Sequence, residues 1–165
     1  MSEPNDNYSK MSDEGQIMYS FLQREGKKLE RKYHMTISSV GGGVNDGISL
    51  MSLGLIFKSK PFTEPEAREL IINCLDEFLY TVNKDETLRP FLINYPFKPE
   101  NIELDIFFQE DHYHPFIRVI SADEGRIAFR TKDRDKRFGY KSFKYETYEE
   151  AVAILNGLKE ENETP

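Results

Sequence analysis

The sequence predicts an α+β protein: one domain with a mostly antiparallel β-sheet of four to six strands. A central amphipathic helix packs on the sheet, and further helices flank it at the N- and C-terminal ends. Apolar residues recur at helical spacing in three segments and alternate at strand spacing between them, and turn signals separate several of the strands. With 165 residues, 38% of them hydrophobic and 13% aromatic, the chain is large enough to bury one core.

The first helix is predicted over about residues 13–33, where Met18, Leu22 and Leu29 share one stripe. Gly26 occupies a position on this helix where a larger residue is expected. It weakens the helix unless a neighbouring element packs closely against it. Residues 1–13 are predicted to be a disordered lead, because they are polar.

Glycines are concentrated in the segment VGGGVNDG, residues 40–47, between two predicted strands at about 36–40 and 48–58. Loops that bind phosphate lead from a strand into the N-terminus of a helix. Here the glycines lead into a second strand-like segment, and Asn45-Asp46-Gly47 is typical of a turn. The segment therefore predicts a hairpin and not a nucleotide site. Gly54, in the second strand, indicates a close approach of a helix there.

The central helix begins after Thr63, which is a helix N-cap, with Glu66 completing a capping box and Pro65 in the first turn. Helical spacing of apolar residues continues for about four turns from Ala67. Cys74 lies on this stripe and is the one cysteine of the chain. We expect it to be a buried, inert thiol, and an intrachain disulfide is excluded.

Residues 83–100 contain three prolines and several aromatic residues, which predicts an ordered excursion pinned to the core. Within it, Arg89 and Tyr95 are candidate ligand-binding residues, because an arginine beside aromatic rings can hold a carboxylate or phosphate. The alternative is that Arg89 bonds loop carbonyls or pairs with a nearby acidic residue.

Further strands are predicted over about 102–108, 114–121, 126–131 and 140–145, with a tight turn at 122–125. Glu103 and Asp105 point outward from the first of these strands. The last helix begins at the capping box 147–150, and the domain spans 14–159, followed by an acidic tail at 160–165. Hairpins, with no βαβ crossover, are expected to connect the strands.

His112 and His114 are the remaining candidate site residues. Alternating histidines on a strand share a face and can bind a metal together with a carboxylate. Their segment is rich in turn residues, however, so a solvated turn is favoured, and no metal or cofactor is predicted. The sequence contains no G-x-S-x-G motif for a serine nucleophile.

The net charge of −7 argues against a nucleic-acid-binding protein. One basic segment, residues 126–144, also contains aromatic residues, a composition that can bind anionic lipid or nucleic acid. The alternative is a solvated hairpin neutralised by the acidic last helix. No apolar run is long enough to span a bilayer. The polar first residues predict a cytoplasmic protein as the chain stands, or an exported one if this is a trimmed mature domain.

Four segments carry a resemblance to a known family: residues 41–47, the start of the central helix at 66–71, residues 89–97, and residues 146–151. In this order they resemble a family of small uncharacterised bacterial proteins, many of which carry export or lipoprotein signals. The resemblance covers roughly residues 20–155. It implies no activity and no site residue, and it gives weight to Arg89.

The sequence favours a non-catalytic binding or interaction module for a protein or small-molecule partner. The expected surface is the 83–100 excursion together with the glycine hairpin, including Asp46. The alternative is a small hydrolase or ligand-processing enzyme with a pocket between this excursion and the sheet, lined by groups such as Arg89, Asp46 and His112 or His114. A weaker alternative is binding of anionic surfaces by residues 126–144.

Overall fold

The computed structural model describes residues 12–58, 62–108, 117–133, 135–137 and 139–163. Three helices and six strands form one domain: α1 (Asp13–Tyr33), β1 (Met35–Val44), β2 (Ile48–Phe57), α2 (Glu64–Lys84), β3 (Ile102–Phe108), β4 (Val119–Asp123), β5 (Arg126–Lys132), β6 (Tyr140–Thr147) and α3 (Tyr148–Glu163). Within these ranges, no helix combines the length and the apolar character needed to cross a membrane.

The six strands form one sheet in the order β1-β2-β3-β4-β5-β6. Every neighbouring pair is antiparallel except β2 and β3, which are parallel. The predicted α+β class and mostly antiparallel sheet are confirmed. The prediction that hairpins connect all strands is wrong at one point, since β2-α2-β3 is a crossover. The helix and excursion between Phe57 and Ile102 provide the length that a parallel return requires.

All three helices pack on one face of the sheet. The alternating side chains Leu53, Leu55, Leu104 and Ile106 are buried on this face, as strand periodicity requires. The opposite face of the sheet, here called the open face, carries mainly polar and small side chains from the intervening positions. The core therefore lies between the sheet and the helices, and the open face is left for other roles.

Two predictions for the helices are confirmed: a neighbour packs closely against Gly26 of α1, and α2 begins with a capping box. A Cβ at Gly26 would lie 2.6 Å from Ile37 Cδ1, so the close packing that this glycine requires is present. The Thr63 side chain and the Glu66 side chain form the predicted capping box at the start of α2. Cys74 is fully buried, and burial raises the pKa of its thiol.

The glycine segment belongs to a β-hairpin, as predicted, but only residues 45–47 form its tip. Strand β1 continues to Val44, beyond the predicted end at about residue 40, so Gly41, Gly42 and Gly43 lie in the strand and pair with β2. Strand β2 begins at Ile48, directly after Gly47, whose φ of +129° lies in the region that favours glycine. The expectation of a helix near Gly54 is wrong. The hydroxyls of Ser38 and Ser39 occupy the space that a Cβ at Gly54 would need, because Gly54 lies on the open face, away from the helices.

The excursion at residues 83–100 is pinned to the core, as predicted. The Asn83 side chain donates to the Phe97 carbonyl at 2.9 Å and accepts from the Phe97 amide at 2.7 Å. The Ile93 amide donates to the Ile48 carbonyl at 3.0 Å, which joins the excursion to the base of the glycine hairpin. The Tyr95–Pro96 peptide bond is cis.

The C-terminal half differs from the prediction only in its boundaries. Strand β4 continues to Asp123, so the turn before β5 is the two residues Glu124 and Gly125, which have φ values of 50° and 77° and match a type I′ hairpin turn. Residues 114–116 of the predicted strand lie outside the described residues. The Thr147 hydroxyl accepts from the Glu150 amide at 3.0 Å, and α3 continues into the predicted tail as far as Glu163.

Candidate functional site

The predicted site residues of the excursion interact mainly with one another. The Arg89 guanidinium lies 4.8 Å from the centre of the Tyr95 ring. Arg89 Nη2 and the Tyr95 hydroxyl each donate to the Asn83 carbonyl at 3.3 Å. Arg89 therefore bonds a loop carbonyl, which is the structural role given above as the alternative to ligand binding.

The other three predicted site residues are not brought together with Arg89 by any described contact. Asp46 is exposed at the hairpin tip, next to Gly47, whose backbone lies against Ile93 of the excursion. His112 and His114 lie outside the described residues. Neither of the two cavities described below is lined by a residue of the 83–100 excursion.

A polar concavity of about 320 Å³ lies on the open face of the sheet. We call it the open-face concavity. Its polar lining consists of three carboxylates, two guanidiniums, two serine hydroxyls and one tyrosine: Glu103, Asp105, Asp123, Arg126, Arg130, Ser121, Ser142 and Tyr145. Strands β3, β4, β5 and β6 all contribute to it, so the concavity crosses the sheet and does not follow one strand.

The register of the strands explains its shape. Asp105 is paired with Ser121, Ser121 with Ala128, and Ala128 with Tyr145. Because directly paired residues point to the same face, these side chains form one row across four strands. The small side chains of Ser121 and Ala128 make the floor of the concavity in the middle of this row.

Longer side chains border the floor on both sides. One flanking row contains the pairs Ser52–Glu103 and Asp123–Arg126. The other contains Val119 paired with Arg130. Residues two apart on a strand lie about 6–7 Å from each other on the same face, so the two rows rise on either side of Ser121.

Ser121 is the residue at the floor that most directly indicates a ligand. Ser121 is 4% exposed, and its hydroxyl has no hydrogen-bond partner among the described residues. A buried hydroxyl without a partner costs about 1–3 kcal/mol. A bound polar molecule in the concavity would supply the missing hydrogen bond.

The two arginines of the concavity stack on tyrosines. The Arg126 guanidinium lies 5.1 Å from the centre of the Tyr145 ring, and that of Arg130 lies 5.9 Å from the Tyr140 ring. Arg126 is paired with Asp123 across the hairpin, yet neither arginine takes part in the ion pairs formed among the described residues. Stacking orients the two cations and leaves their hydrogen-bond donors available.

The carboxylates crowd the opposite side of the concavity. Burial raises the pKa of the Glu103 carboxyl, and the nearby charges of Asp123 and Asp105 raise it further, while a hydrogen bond from Ser52 opposes the shift. A cation placed among these groups would relieve their mutual repulsion. No three acidic, histidine or cysteine side chains of the described ranges are grouped so as to hold a metal ion.

The cations of the basic 126–144 segment are divided between two faces. Arg126 and Arg130 lie on the open face, whereas Lys144 lies on the helix side, where its ammonium contacts the Glu64 carboxylate. The segment therefore does not present all of its cations on one surface. This arrangement gives less support to the hypothesis of anionic-surface binding than the sequence did.

A buried ion pair lies beside Lys144 on the helix side of the sheet. Arg68 Nε donates to Glu146 Oε2 at 2.8 Å, and Arg68 Nη2 bonds Glu146 Oε1. Burial of the Glu146 carboxyl opposes its ionisation, but the hydrogen bonds and charge of Arg68 outweigh burial and hold its pKa below the ordinary value. Both groups are satisfied internally, so this pair is structural.

A second cavity, of about 560 Å³, lies near the start of α2 and is mainly apolar. Phe62, Ile117, Thr131 and Phe143 line it, together with Thr63 and Glu64. No described buried polar group without a partner lies in its lining. Phe62 and Ile117 directly follow segments 59–61 and 109–116, which lie outside the described residues, so we assign no function to this cavity.

Sequence reasoning found the components of the open-face concavity separately but did not join them. The outward positions of Glu103 and Asp105 were predicted, and Arg126 and Arg130 were placed in the basic segment. Ser121 was not singled out, because a serine in a strand is common. The signal available in the sequence was the two-residue turn at 124–125, which fixes Asp123 opposite Arg126.

Comparison with known proteins gave no match: no family model, characterised sequence or solved structure is similar to this chain. The resemblance to small bacterial proteins with export signals therefore stays a prediction. The functional assignment rests on the geometry of the site.

Proposed function

We propose that this protein is a non-catalytic binding module and that the open-face concavity is its ligand site. The observation that carries the proposal is the Ser121 hydroxyl, which is buried at the floor of the concavity and has no hydrogen-bond partner in the described part of the chain. The charged side chains around Ser121 support it, because Arg126 and Arg130 stack on tyrosines and form no ion pair within the described ranges. Sites of this kind combine a formed cavity with a few convergent polar groups.

Binding without catalysis is favoured by the chemistry of the lining. The described residues around the concavity supply carboxylates, guanidiniums and hydroxyls, but no histidine, cysteine or lysine. Activation of a hydroxyl nucleophile usually needs a neighbouring base such as histidine or lysine. The hydrolase alternative retains one supporting observation, the raised pKa of Glu103 beside Asp123, since paired carboxyls with separated pKa values can act as acid and base.

Amide chemical-shift mapping by NMR tests the proposal with small probes of each charge type: L-arginine, glycylglycine, agmatine, glutarate, inorganic phosphate and glucose. We expect at least one probe to shift the amide signals of Ser121, Asp123 and Arg126 at millimolar concentration. The spectrum of that probe should be unchanged after a day, which excludes turnover. A panel in which no probe shifts these signals would overturn the assignment of the site.

Two variants provide the matched comparison. Arg126→Gln removes a charge from the concavity, whereas Arg31→Gln removes one from the exposed side of α1. We expect Arg126→Gln to weaken binding of an active probe that carries a carboxylate or phosphate group and Arg31→Gln to leave it unchanged. If both substitutions weaken probe binding equally, the net charge of the protein determines the binding, and the concavity is not the ligand site.

The weaker alternative, binding of anionic surfaces through residues 126–144, predicts a different result. Acidic liposomes should then bind the protein, and added salt should weaken that binding. The positions of three carboxylates beside Arg126 and Arg130 argue against this function, because they repel an anionic surface.

The compartment is a separate part of the proposal. The single cysteine is buried, so the fold needs no disulfide and is compatible with a reducing or an oxidising compartment. Fractionation of cells that express the full-length gene, with mass measurement of the product, distinguishes a cytosolic protein from an exported one. Cleavage or lipidation of the product would support the envelope location that the resemblance implies.

A further inference from the structure

We infer that the ligand of the open-face concavity is a small zwitterion, an organic cation joined to a carboxylate, of the size and chemistry of a basic α-amino acid. This inference rests on the proposed function. It goes further by assigning each charge of the ligand to a different part of the site, with the cation held by Glu103, Asp105 and Asp123 and the carboxylate by Arg126 and Arg130.

The charges of β3 and β5 are separated across the sheet. Glu103 and Asp105 belong to β3 and the two guanidiniums to β5, whereas Asp123 lies between them on β4, directly paired with Arg126. Neighbouring strands lie about 4.8 Å apart, so β3 and β5 are separated by about 10 Å at the backbone. Side chains that converge from both ends shorten this distance. A ligand whose charges are joined by a short aliphatic chain, as in arginine or lysine, fits such a spacing.

The size of the concavity limits the ligand. Its volume of about 320 Å³ is near the lower end of the roughly 300–1,000 Å³ found for small-molecule sites. The Ser121 hydroxyl at the floor lies between the two charged ends. It can bond a polar atom in the middle or at the carboxylate end of the ligand.

Other ligand classes match fewer of these groups. A metal ion is disfavoured because no three acidic, histidine or cysteine side chains of the described part of the chain are grouped to hold one. Phosphate would use the two arginines but would be repelled by the three carboxylates. A neutral sugar would leave the charges of both kinds uncompensated. A zwitterion pairs with both the carboxylates and the guanidiniums of the concavity.

Calorimetric titration with three probes tests the inference. L-arginine carries both charges, agmatine lacks the carboxylate, and glutarate lacks the cation. We expect L-arginine to bind at least about tenfold more tightly than either of the others, because it alone makes charge-assisted hydrogen bonds at both ends of the site.

Substitutions at the cationic end and at the anionic end of the concavity should affect the binding of different probes. Arg130→Gln should weaken binding of L-arginine by about tenfold and leave agmatine bound at least as tightly as before, because agmatine has no carboxylate to lose a partner and is itself a cation. Asp105→Asn should weaken the binding of both L-arginine and agmatine. Retained agmatine binding shows that the Arg130→Gln protein is folded, so the pattern cannot come from loss of structure. Arg31→Gln is the control that should change none of these affinities.

The outcomes separate the ligand class from the proposed function. Agmatine that binds as tightly as L-arginine would overturn the assignment of a carboxylate to the arginines. If L-arginine fails to bind while phosphate or glucose shifts the Ser121 region, the zwitterion is wrong and the binding module stands. If no probe binds, both the zwitterion inference and the proposed binding function are wrong.

Discussion

Gly47 has a backbone conformation and surroundings that exclude other residues. Its φ is +129°, and a Cβ there would lie 2.7 Å from Ile93 Cγ1 and 3.0 Å from the Phe91 carbonyl oxygen. We expect Gly47→Ala to lower the free energy of unfolding by at least about 2 kcal/mol, from backbone strain and steric overlap together. Urea denaturation followed by circular dichroism measures this change.

Gly41 is the matched control on the same hairpin. A Cβ at Gly41 meets no atom within 4 Å, and alanine is more favourable than glycine in a strand. Gly41→Ala should leave the free energy of unfolding unchanged or raise it slightly. An equal loss of stability in the two variants would show that the hairpin is insensitive to its contact with the excursion.

Glu25 is a buried carboxylate that limits stability at neutral pH. Its side chain is 3% exposed, and Oε1 has no hydrogen-bond partner within the described ranges. Burial raises the pKa of this carboxyl, the charge of Lys28 opposes the shift, and that of Glu77 adds to it. A raised pKa means that the protonated form stabilises the fold, and this stabilisation is lost as the pH rises through the folded-state pKa.

We therefore expect Glu25→Gln, which resembles the protonated form, to be more stable than the wild type at pH 7. Below the ordinary pKa of 4.5, the two proteins should have the same stability, because wild-type Glu25 is then protonated in both states. Thermal unfolding from pH 3 to pH 8 measures the difference. Glu69→Gln, on the exposed side of α2, is the control. A lower melting temperature for Glu25→Gln at pH 7 would contradict the expectation.

At the scale of secondary-structure elements, the Arg68–Glu146 pair joins α2 to β6. Arg68→Ala leaves the buried Glu146 carboxylate with only the partly exposed Lys144 ammonium, 3.5 Å away, and we expect a loss of about 3 kcal/mol. Because the pKa of Glu146 is lowered in the folded state, the stability from this pair is present above the unfolded pKa and is lost as the pH falls through the folded one. Urea denaturation at pH 7 and at low pH measures both effects.

The double variant Arg68→Met/Glu146→Leu tests the same pair by removing both of its charges at once. Two apolar residues of similar volume leave no charge buried, so most of the stability lost in Arg68→Ala should return. A double variant as unstable as Arg68→Ala would mean that the pair contributes more than charge compensation. The stacking of Arg68 on Phe129, at 5.4 Å, would then be the contact to examine.

The elements themselves could largely be predicted from the sequence, because their signals are local. The limits of α1 and β3 and the capping box at Thr63 follow from nearby residues alone. The parallel pairing of β2 with β3 could not be predicted in this way. A strand has the same local pattern in either direction, and only the packing of α2 on the sheet determines how the chain returns.

The candidate site could not be predicted from the sequence for the same reason. Glu103 lies on β3 and Arg130 on β5, and only the order of the strands in the sheet brings them to one concavity. Sequence patterns do show which face of its strand each residue occupies. They do not show which strands are neighbours, so Ser121 could not be recognised as the centre of a charged cluster. Arg89 was easier to notice because its partner Tyr95 is close in sequence.

At the scale of the whole molecule, Cys74 is a reporter of unfolding. It is the one cysteine of the chain, it is fully buried, and burial raises the pKa of its thiol. We expect a thiol reagent to label it only after α2 separates from the sheet. In Arg68→Ala, labelling should be faster by roughly a hundredfold or more, in proportion to the lost stability.

Absorbance measurements with a chromogenic disulfide reagent follow this rate. The exposed-side variant Glu69→Gln is the control and should be labelled at the wild-type rate. If Arg68→Ala and the wild type are labelled equally fast, the thiol becomes accessible by a local opening that leaves the Arg68–Glu146 contact intact, and the domain does not unfold as one unit.

The order of the strands also gives the sheet two unlike edges. The edge strand β6 carries Lys141, Lys144 and Glu146, whereas β1 at the other edge has neither a charged residue nor a proline. In the described part of the chain, no strand pairs with the outer side of β1. Charges and prolines on edge strands hinder pairing between molecules. Self-association during refolding is therefore expected to begin at β1, and Gly41→Lys should raise the yield of soluble protein when the chain is refolded at high concentration.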